Sequence, residues 1–278
     1  MRFVVCAFDF ETTGLDWAAD DIIQVGACAR TGTVDPDTGR FIPDQSFEIP
    51  PHRFERYVAT DCELSHEVQR LTSITPDKLQ DADRLPQVLR DFATWLSDLR
   101  TQRADSSADV HGSSKLVLVS YNGLGYHNPG FDMNVLAWQL VKFGTVLESF
   151  LTLIEADAHD DVMRSVDSTW SLERIRLVDV YKHVFRKQYE AAHSAAADAN
   201  ATLSLFFKLR TDLRHSLLGI DNTLAIVFRD SGLSKYKVYD RDTRLSYVPR
   251  VLKFRCFSCM ITEEPVVPFR TKKQKLEQ

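Results

Sequence analysis

Cysteine is scarce and odd in number. Five in 278 residues supply no disulfide framework, so a reducing compartment is the default. Eleven glycines and ten prolines are too few for a collagen-like or low-complexity chain. No apolar run approaches the roughly 20 residues that a membrane-spanning helix needs, so no membrane partner is expected. The apolar start, Phe3 to Phe10, is too short for a secretory leader and already carries Asp9. No signal peptide is expected, and the location is read as intracellular, cytoplasmic or nuclear. What is present is ample: 44% hydrophobic and 26% charged residues can bury one good-sized core, with or without a small appendage.

A large excess of either charge is also missing. The net value of −5 argues at face value against a partner that is a polyanion. Its distribution says otherwise. Residues 229–278 carry twelve Lys/Arg against six Asp/Glu, a local +6, which leaves −11 for residues 1–228. An acidic pocket beside a basic flank is what a metal-dependent enzyme acting on phosphodiesters would show, while charge alone favours an ordinary solvated surface with a basic tail.

Residues 2–10 form a nearly continuous apolar, β-prone run ending at Thr13-Gly14, the pattern of a central buried strand. Ile22 to Ala29 predicts a second strand, and Phe41 to Ile49 a third, fenced by Pro43 and Pro50-Pro51, in an antiparallel meander. Leu64 to Leu71 begins a helical pattern, and Leu85 to Leu99 places Val88, Leu89, Phe92, Trp95 and Leu96 at helical spacing. Residues 101–114 are small and polar and read as a loop. A fourth strand, Leu116 to Ser120, leads through a Gly-rich turn to a helix over about 131–143. A polar stretch, Asp157 to Ser168, precedes two helices, Leu172 to Phe185 and about Ser194 to Leu209. Strands followed by strand–helix alternation predict an α/β three-layer domain with a mixed central sheet flanked by helices. Its bounds are read as 1–212, with 213–278 as an extension holding a hairpin, Lys235 to Tyr239 and Arg244 to Val248.

Asp9 and Glu11 stand two apart at the end of the first strand, so alternation sends both side chains to one face of the sheet. No Lys or Arg follows them until Arg30. Carboxylates leaving water without such a partner must be neutralised or bind metal. Phe8-Asp9-Phe10-Glu11-Thr12-Thr13-Gly14-Leu15 resembles the first motif of the DnaQ-like exonucleases. Two further segments follow in the family's order. The strand ending at Ser120-Tyr121-Asn122, followed by Phe131-Asp132, resembles the second motif; His127-Asn128-Pro129-Gly130-Phe131-Asp132 offers an alternative Asn with the more usual spacing. Asp132 serves both readings, and the choice between Asn122 and Asn128 stays open. His193-Ser194-Ala195-Ala196-Ala197-Asp198 resembles the third motif, with Ser194 as N-cap, and its spacing points to the DEDDh branch. The sister branch has a Tyr four residues before its Asp, where this chain has Ser194. Leu172-Glu173-Arg174-Ile175 is a weaker match to a family helix. The resemblance covers roughly residues 3–210.

The resemblance implies an RNase H-like fold and hydrolysis of phosphodiester bonds at a nucleic-acid 3′ end, releasing nucleoside 5′-monophosphates. Its substrates are single-stranded or frayed ends, DNA somewhat preferred, with an exoribonuclease as the alternative. An inactive nuclease fold kept as a binding module is the alternative from another class. Asp9, Glu11, Asp132 and Asp198 offer the hard oxygen ligands that suit two divalent cations, Mg²⁺ or Mn²⁺. His193 can take a proton from the attacking water near neutral pH. By the same resemblance Thr12, Gly14 and Leu15 lie against the terminal nucleotide. Tyr121, Tyr126 and His127 could stack on a base or pack on the domain. Cys256-Phe257-Ser258-Cys259 is half a zinc site by spacing, without a second pair nearby, and a buried strand is the better reading. The extension's basic residues suit phosphate, and its apolar segments around Val251, Phe254 and Val266 suit a protein partner.

Overall fold

An eleven-residue strand, β1 (Arg2–Thr12), lies inside the sheet with neighbours on both sides. The computed structural model describes residues 2–16, 19–35, 37–38, 40–101, 114–121, 158–162, 176–189 and 192–213, five positions between 131 and 139, and the pairs 225–226 and 254–255. On one side β1 pairs antiparallel with β2 (Ile22–Val34), which carries β3 (Phe41–Pro43) and β4 (His52–Tyr57) along its far edge, both antiparallel. On the other side it runs parallel to β5 (Lys115–Ser120), and β5 runs parallel to β6 (Ala158–Asp161). The sheet is therefore mixed.

The apolar continuity of β1 has a direct cause: helices cover both of its faces. Val4, Cys6, Phe8 and Phe10 pack with Val88, Leu89, Phe92 and Leu96 of α3 (Leu85–Thr101). Phe3, Val5 and Ala7 pack on the opposite side, with Val180 of α4 (Leu177–Phe185) and Leu203, Leu205 and Phe206 of α5 (Ala195–Leu213). Each Val, Leu or Phe among them contributes about 1.5–3 kcal/mol on burial, so the two clusters fix the order of the layers. Two shorter helices, α1 (His66–Thr72) and α2 (Pro76–Leu79), close the end of β2 around Ile23, Leu64, Ile74 and Leu79. This is the expected three-layer α/β arrangement.

Three local expectations are corrected. The third strand does not run from Phe41 to Ile49: it stops at Pro43, and the chain re-enters the sheet at His52, after Pro50-Pro51, as β4. A proline cannot donate to a ladder, which accounts for the gap. Within β4 only Phe54 is buried. The polar stretch after Asp157 contributes β6, at the sheet's far edge. The helix expected from Leu172 has its N-cap at Arg176. The hairpin read at 235–248 lies outside the described residues. Among the described residues no helix is long and apolar enough to cross a membrane.

Candidate active site

Beyond Ala7 the α5-facing side of β1 changes from apolar to acidic. Alternation continues to the end of the strand, so Asp9 and Glu11 project from the same face as Phe3, Val5 and Ala7, opposite Gly26 and Gln24 of β2. A register irregularity follows between Glu11 and Thr12.

The first turn of α5 settles on the sheet at this point because Gly26 has no side chain. A Cβ on Gly26 would lie 2.1 Å from the Ala196 nitrogen and 2.2 Å from the Ala195 carbonyl carbon. Ala195, Ala196 and Ala199 are small enough to be completely buried there. The helix start also needs partners for its free N–H groups. Ala195 N–H donates to Gln24 Oε1 at 3.0 Å, and Gln24 Nε2 donates to Glu55 Oε1 at 3.1 Å. Ser194 starts the helix through its carbonyl, which accepts from Ala197 and Asp198 N–H. Its hydroxyl donates to Glu55 Oε1 at 3.2 Å, so this side chain ties β4 to the helix instead of capping it.

Held in this way, α5 presents Asp198 to β1. Carboxylate oxygens of Asp9, Glu11 and Asp198 lie within 4.8 Å of one another. Asp198 is buried, whereas Asp9 and Glu11 are half-buried. Asp198 Oδ1 accepts the Tyr189 hydroxyl at 2.7 Å, and Oδ2 accepts the His193 backbone N–H at 3.2 Å. Asp132 opens a helical turn in which Val135 N–H bonds to the Phe131 carbonyl; it is buried, and its charge acts on both Asp9 and Glu11.

His193 is exposed and adopts the left-handed conformation, with φ 66°. That backbone is uncommon for a residue with a side chain, and such conformations gather at functional sites.

Crowded acids in poor contact with water resist ionisation. Asp9 is held well above the usual carboxylate range by burial, then by Asp132, Asp198 and Glu11. Glu11 is pushed up to about 8 by burial, then by Asp198 and Asp132. Burial also raises Asp198, against the Tyr189 hydrogen bond and the charge of His193. No Lys or Arg takes part with these three acids in an ion pair among the described residues. Hard oxygen donors that repel one another, paired with no Lys or Arg among the described residues, fit a divalent cation.

The turn after β1 is organised by Asp20. Its carboxylate accepts the Thr13 hydroxyl at 3.0 Å and the Asp16 N–H at 2.7 Å. A Cβ on Gly14 would meet that carboxylate at 2.5 Å, so a side chain there would shift Asp20 from these bonds. Thr12 Oγ1 donates to the Gly14 carbonyl. Leu15 is left 89% exposed at the tip, the most exposed large apolar side chain among the described residues. Tyr121 packs partly buried against the α5-side core, which favours its packing role over stacking. Asn122, Tyr126, His127, Asn128 and the Cys256–Cys259 pair lie outside the described residues.

Four contributors escaped the sequence reading: Gly26, Gln24, Glu55 and Tyr189. A glycine inside a strand does signal close backbone approach, so Gly26 could have been found. The other three carry no local signal.

A sheet strand and a helix start deliver clustered carboxylates to one point, an arrangement that fits a divalent cation. The comparisons point to an exonuclease family. The family model described as Exonuclease, of RNase T type, matches residues 6–118. The PolC-type DNA polymerase III of Staphylococcus epidermidis is 25% identical over 232 residues, 83% of this chain and 13% of the relative. That of Thermotoga maritima is 30% identical over 140 residues, 50% of this chain and 9% of the relative. The chain thus spans about a tenth of the length of these relatives. The solved nuclease domain of 3′hExo, described as a DEDDh family member bound to rAMP, has a TM-score of 0.51. It is 16% identical and covers 75% of this chain and 92% of that one, a likeness of fold. These likenesses support a DnaQ-like 3′–5′ exonuclease superfamily, and the fold is RNase H-like, as in the 3′hExo nuclease domain.

Proposed function

We propose that residues 1–212 form a metal-dependent 3′–5′ exonuclease of the DEDDh type, acting on single-stranded or frayed nucleic-acid ends with DNA somewhat preferred. The observation that carries this reading is the convergence of Asp9, Glu11 and Asp198 within 4.8 Å, with Asp132 close enough to act on the first two. Asp9, Glu11, Asp132 and Asp198 would hold two cations, Mg²⁺ or Mn²⁺. When bound, such ions supply the positive charge that steadies the attacking and leaving oxygens of an in-line displacement at phosphorus.

The remaining work falls to the chain's own groups. His193, exposed beside the cluster, takes a proton from the attacking water on an imidazole nitrogen. Leu15 packs against the terminal base, and Thr12 and Gly14 shape the turn that carries it. The Asn of the second motif, Asn122 or Asn128, contacts the substrate. The products are a nucleoside 5′-monophosphate and a strand one unit shorter. Residues 213–278 form an extension that adds phosphate contacts or a protein partner.

Matched DNA and RNA oligonucleotides labelled at the 5′ end provide the test. With Mg²⁺ or Mn²⁺ a ladder of shortening products is expected, faster on DNA, and excess EDTA abolishes it. Intact oligonucleotides of both kinds, with 3′ ends single-stranded and frayed, would instead favour an inactive binding module.

A further inference from the structure

Asp198 reaches the cluster from inside a helix, against the repulsion of Asp9 and Glu11. Without restraint its carboxylate gains by rotating toward water. Two donors oppose that, one on each oxygen. The His193 N–H at Oδ2 belongs to the backbone, but the Tyr189 hydroxyl at Oδ1, 2.7 Å away, is a side chain nine residues upstream. We propose that Tyr189 is a positioning residue that holds Asp198 in its cation-binding orientation. The inference rests on the metal-dependent reading of the same site.

The position of Tyr189 is itself determined. Its ring meets the Tyr181 ring edge-on, with centroids 5.0 Å apart, and Tyr181 meets Phe185 at 4.5 Å. Tyr181 is part of the buried core under α4. The aromatic row therefore ties Asp198 to α4, and α5 supplies only the backbone from which Asp198 springs. A hydroxyl donating to a carboxylate is a short, charge-assisted bond, and it leaves the oxygen with lone-pair capacity for a cation. Groups that orient a metal ligand in this manner change metal affinity 10–100-fold when removed.

The test uses the full chain and Mn²⁺ as the probe. Tyr189→Phe keeps the ring and its packing and deletes only the donor. Calorimetric titration should show Mn²⁺ bound about 10–100-fold more weakly, with the unfolding temperature of the metal-free protein little changed. Turnover that falls at low Mn²⁺ should return as Mn²⁺ is raised. In an Asp198→Asn background the same change should have no further effect on Mn²⁺ affinity, because the two residues act as one unit. Unchanged affinity in the single variant, or an equal loss in both backgrounds, overturns the proposal. Wild-type protein that binds no Mn²⁺ overturns the metal reading beneath it, a different result.

Discussion

Gly26 and Ala196 touch backbone to backbone: an added Cβ on Gly26 would come within 2.1 Å of the Ala196 nitrogen. Gly26 is also the residue paired with Asp9. The spacing between the acids on β1 and the acid on α5 is thus set by the absence of one methyl group.

Gly26→Ala is expected to push α5 away from β2 and separate Asp198 from Asp9 and Glu11. Overpacking of this kind costs about 1–3 kcal/mol. Denaturant melts should show that loss, with Mn²⁺ affinity falling in parallel. Unchanged affinity would mean that the approach serves packing alone.

The pH dependence of stability follows from the direction of the acid shifts. Asp9, Glu11 and Asp198 are raised, Glu11 to about 8, so in this range the metal-free folded state keeps protons that the unfolded chain has released. Stability is then fully present below the unfolded carboxylate range near 4 and is lost as pH rises toward 8. The slope approaches about 1.4 kcal/mol per pH unit for each group, lessened by the water that reaches the half-buried pair. Urea melts in EDTA at pH 5.5 and 8.5 should show lower stability at the higher pH. Saturating Mn²⁺ should abolish the difference, because the metal-bound protein, like the unfolded chain in this range, keeps none of those protons.

Much of this site could be read before the fold was known. Period-two alternation already put Asp9 and Glu11 on one face, and β1, β2, β5 and α3 follow from apolar patterns that burial enforces. β4, beyond the expected Phe41–Ile49, carries no strand pattern in the sequence because it has a single inward residue, Phe54, among polar ones. An edge strand needs no more. β6, with the sequence Ala-His-Asp-Asp, has no apolar pattern to follow. Tyr189 and the Gln24–Glu55–Ser194 link are long-range contacts whose partners only the folded chain brings together.

His193 is expected to matter for the rate more than for the site's integrity. Its left-handed backbone makes Asn a better replacement than Ala, since Asn tolerates that conformation and does not accept a proton near neutral pH. His193→Asn should lower turnover by about 10²–10⁴ and leave Mn²⁺ and oligonucleotide affinity nearly intact. Loss of binding together with turnover would assign His193 to holding the site.

The basic extension gives a salt-dependence test. Ending the chain before Arg270 removes Arg270, Lys272, Lys273 and Lys275. For every one of these side chains that does bind a phosphate, its removal should reduce the slope of log affinity against log salt by about 0.7 on single strands. Weaker binding with a shallower slope and unchanged turnover at saturating substrate is the expected result. An unaltered slope would mean that the extension is structural or meets a protein partner.

The most direct measurement is release of nucleoside 5′-monophosphate from the 3′ end of a labelled oligonucleotide, comparing the wild type with Asp9→Asn and Asp198→Asn. Both changes remove a charge and keep the volume, so the fold should persist and circular dichroism should be unchanged. Wild-type protein in Mg²⁺ should release monophosphate, and neither variant should release any above the level seen in EDTA. Release by Asp9→Asn or Asp198→Asn at the wild-type rate would contradict the assignment of these carboxylates as the metal-holding centre.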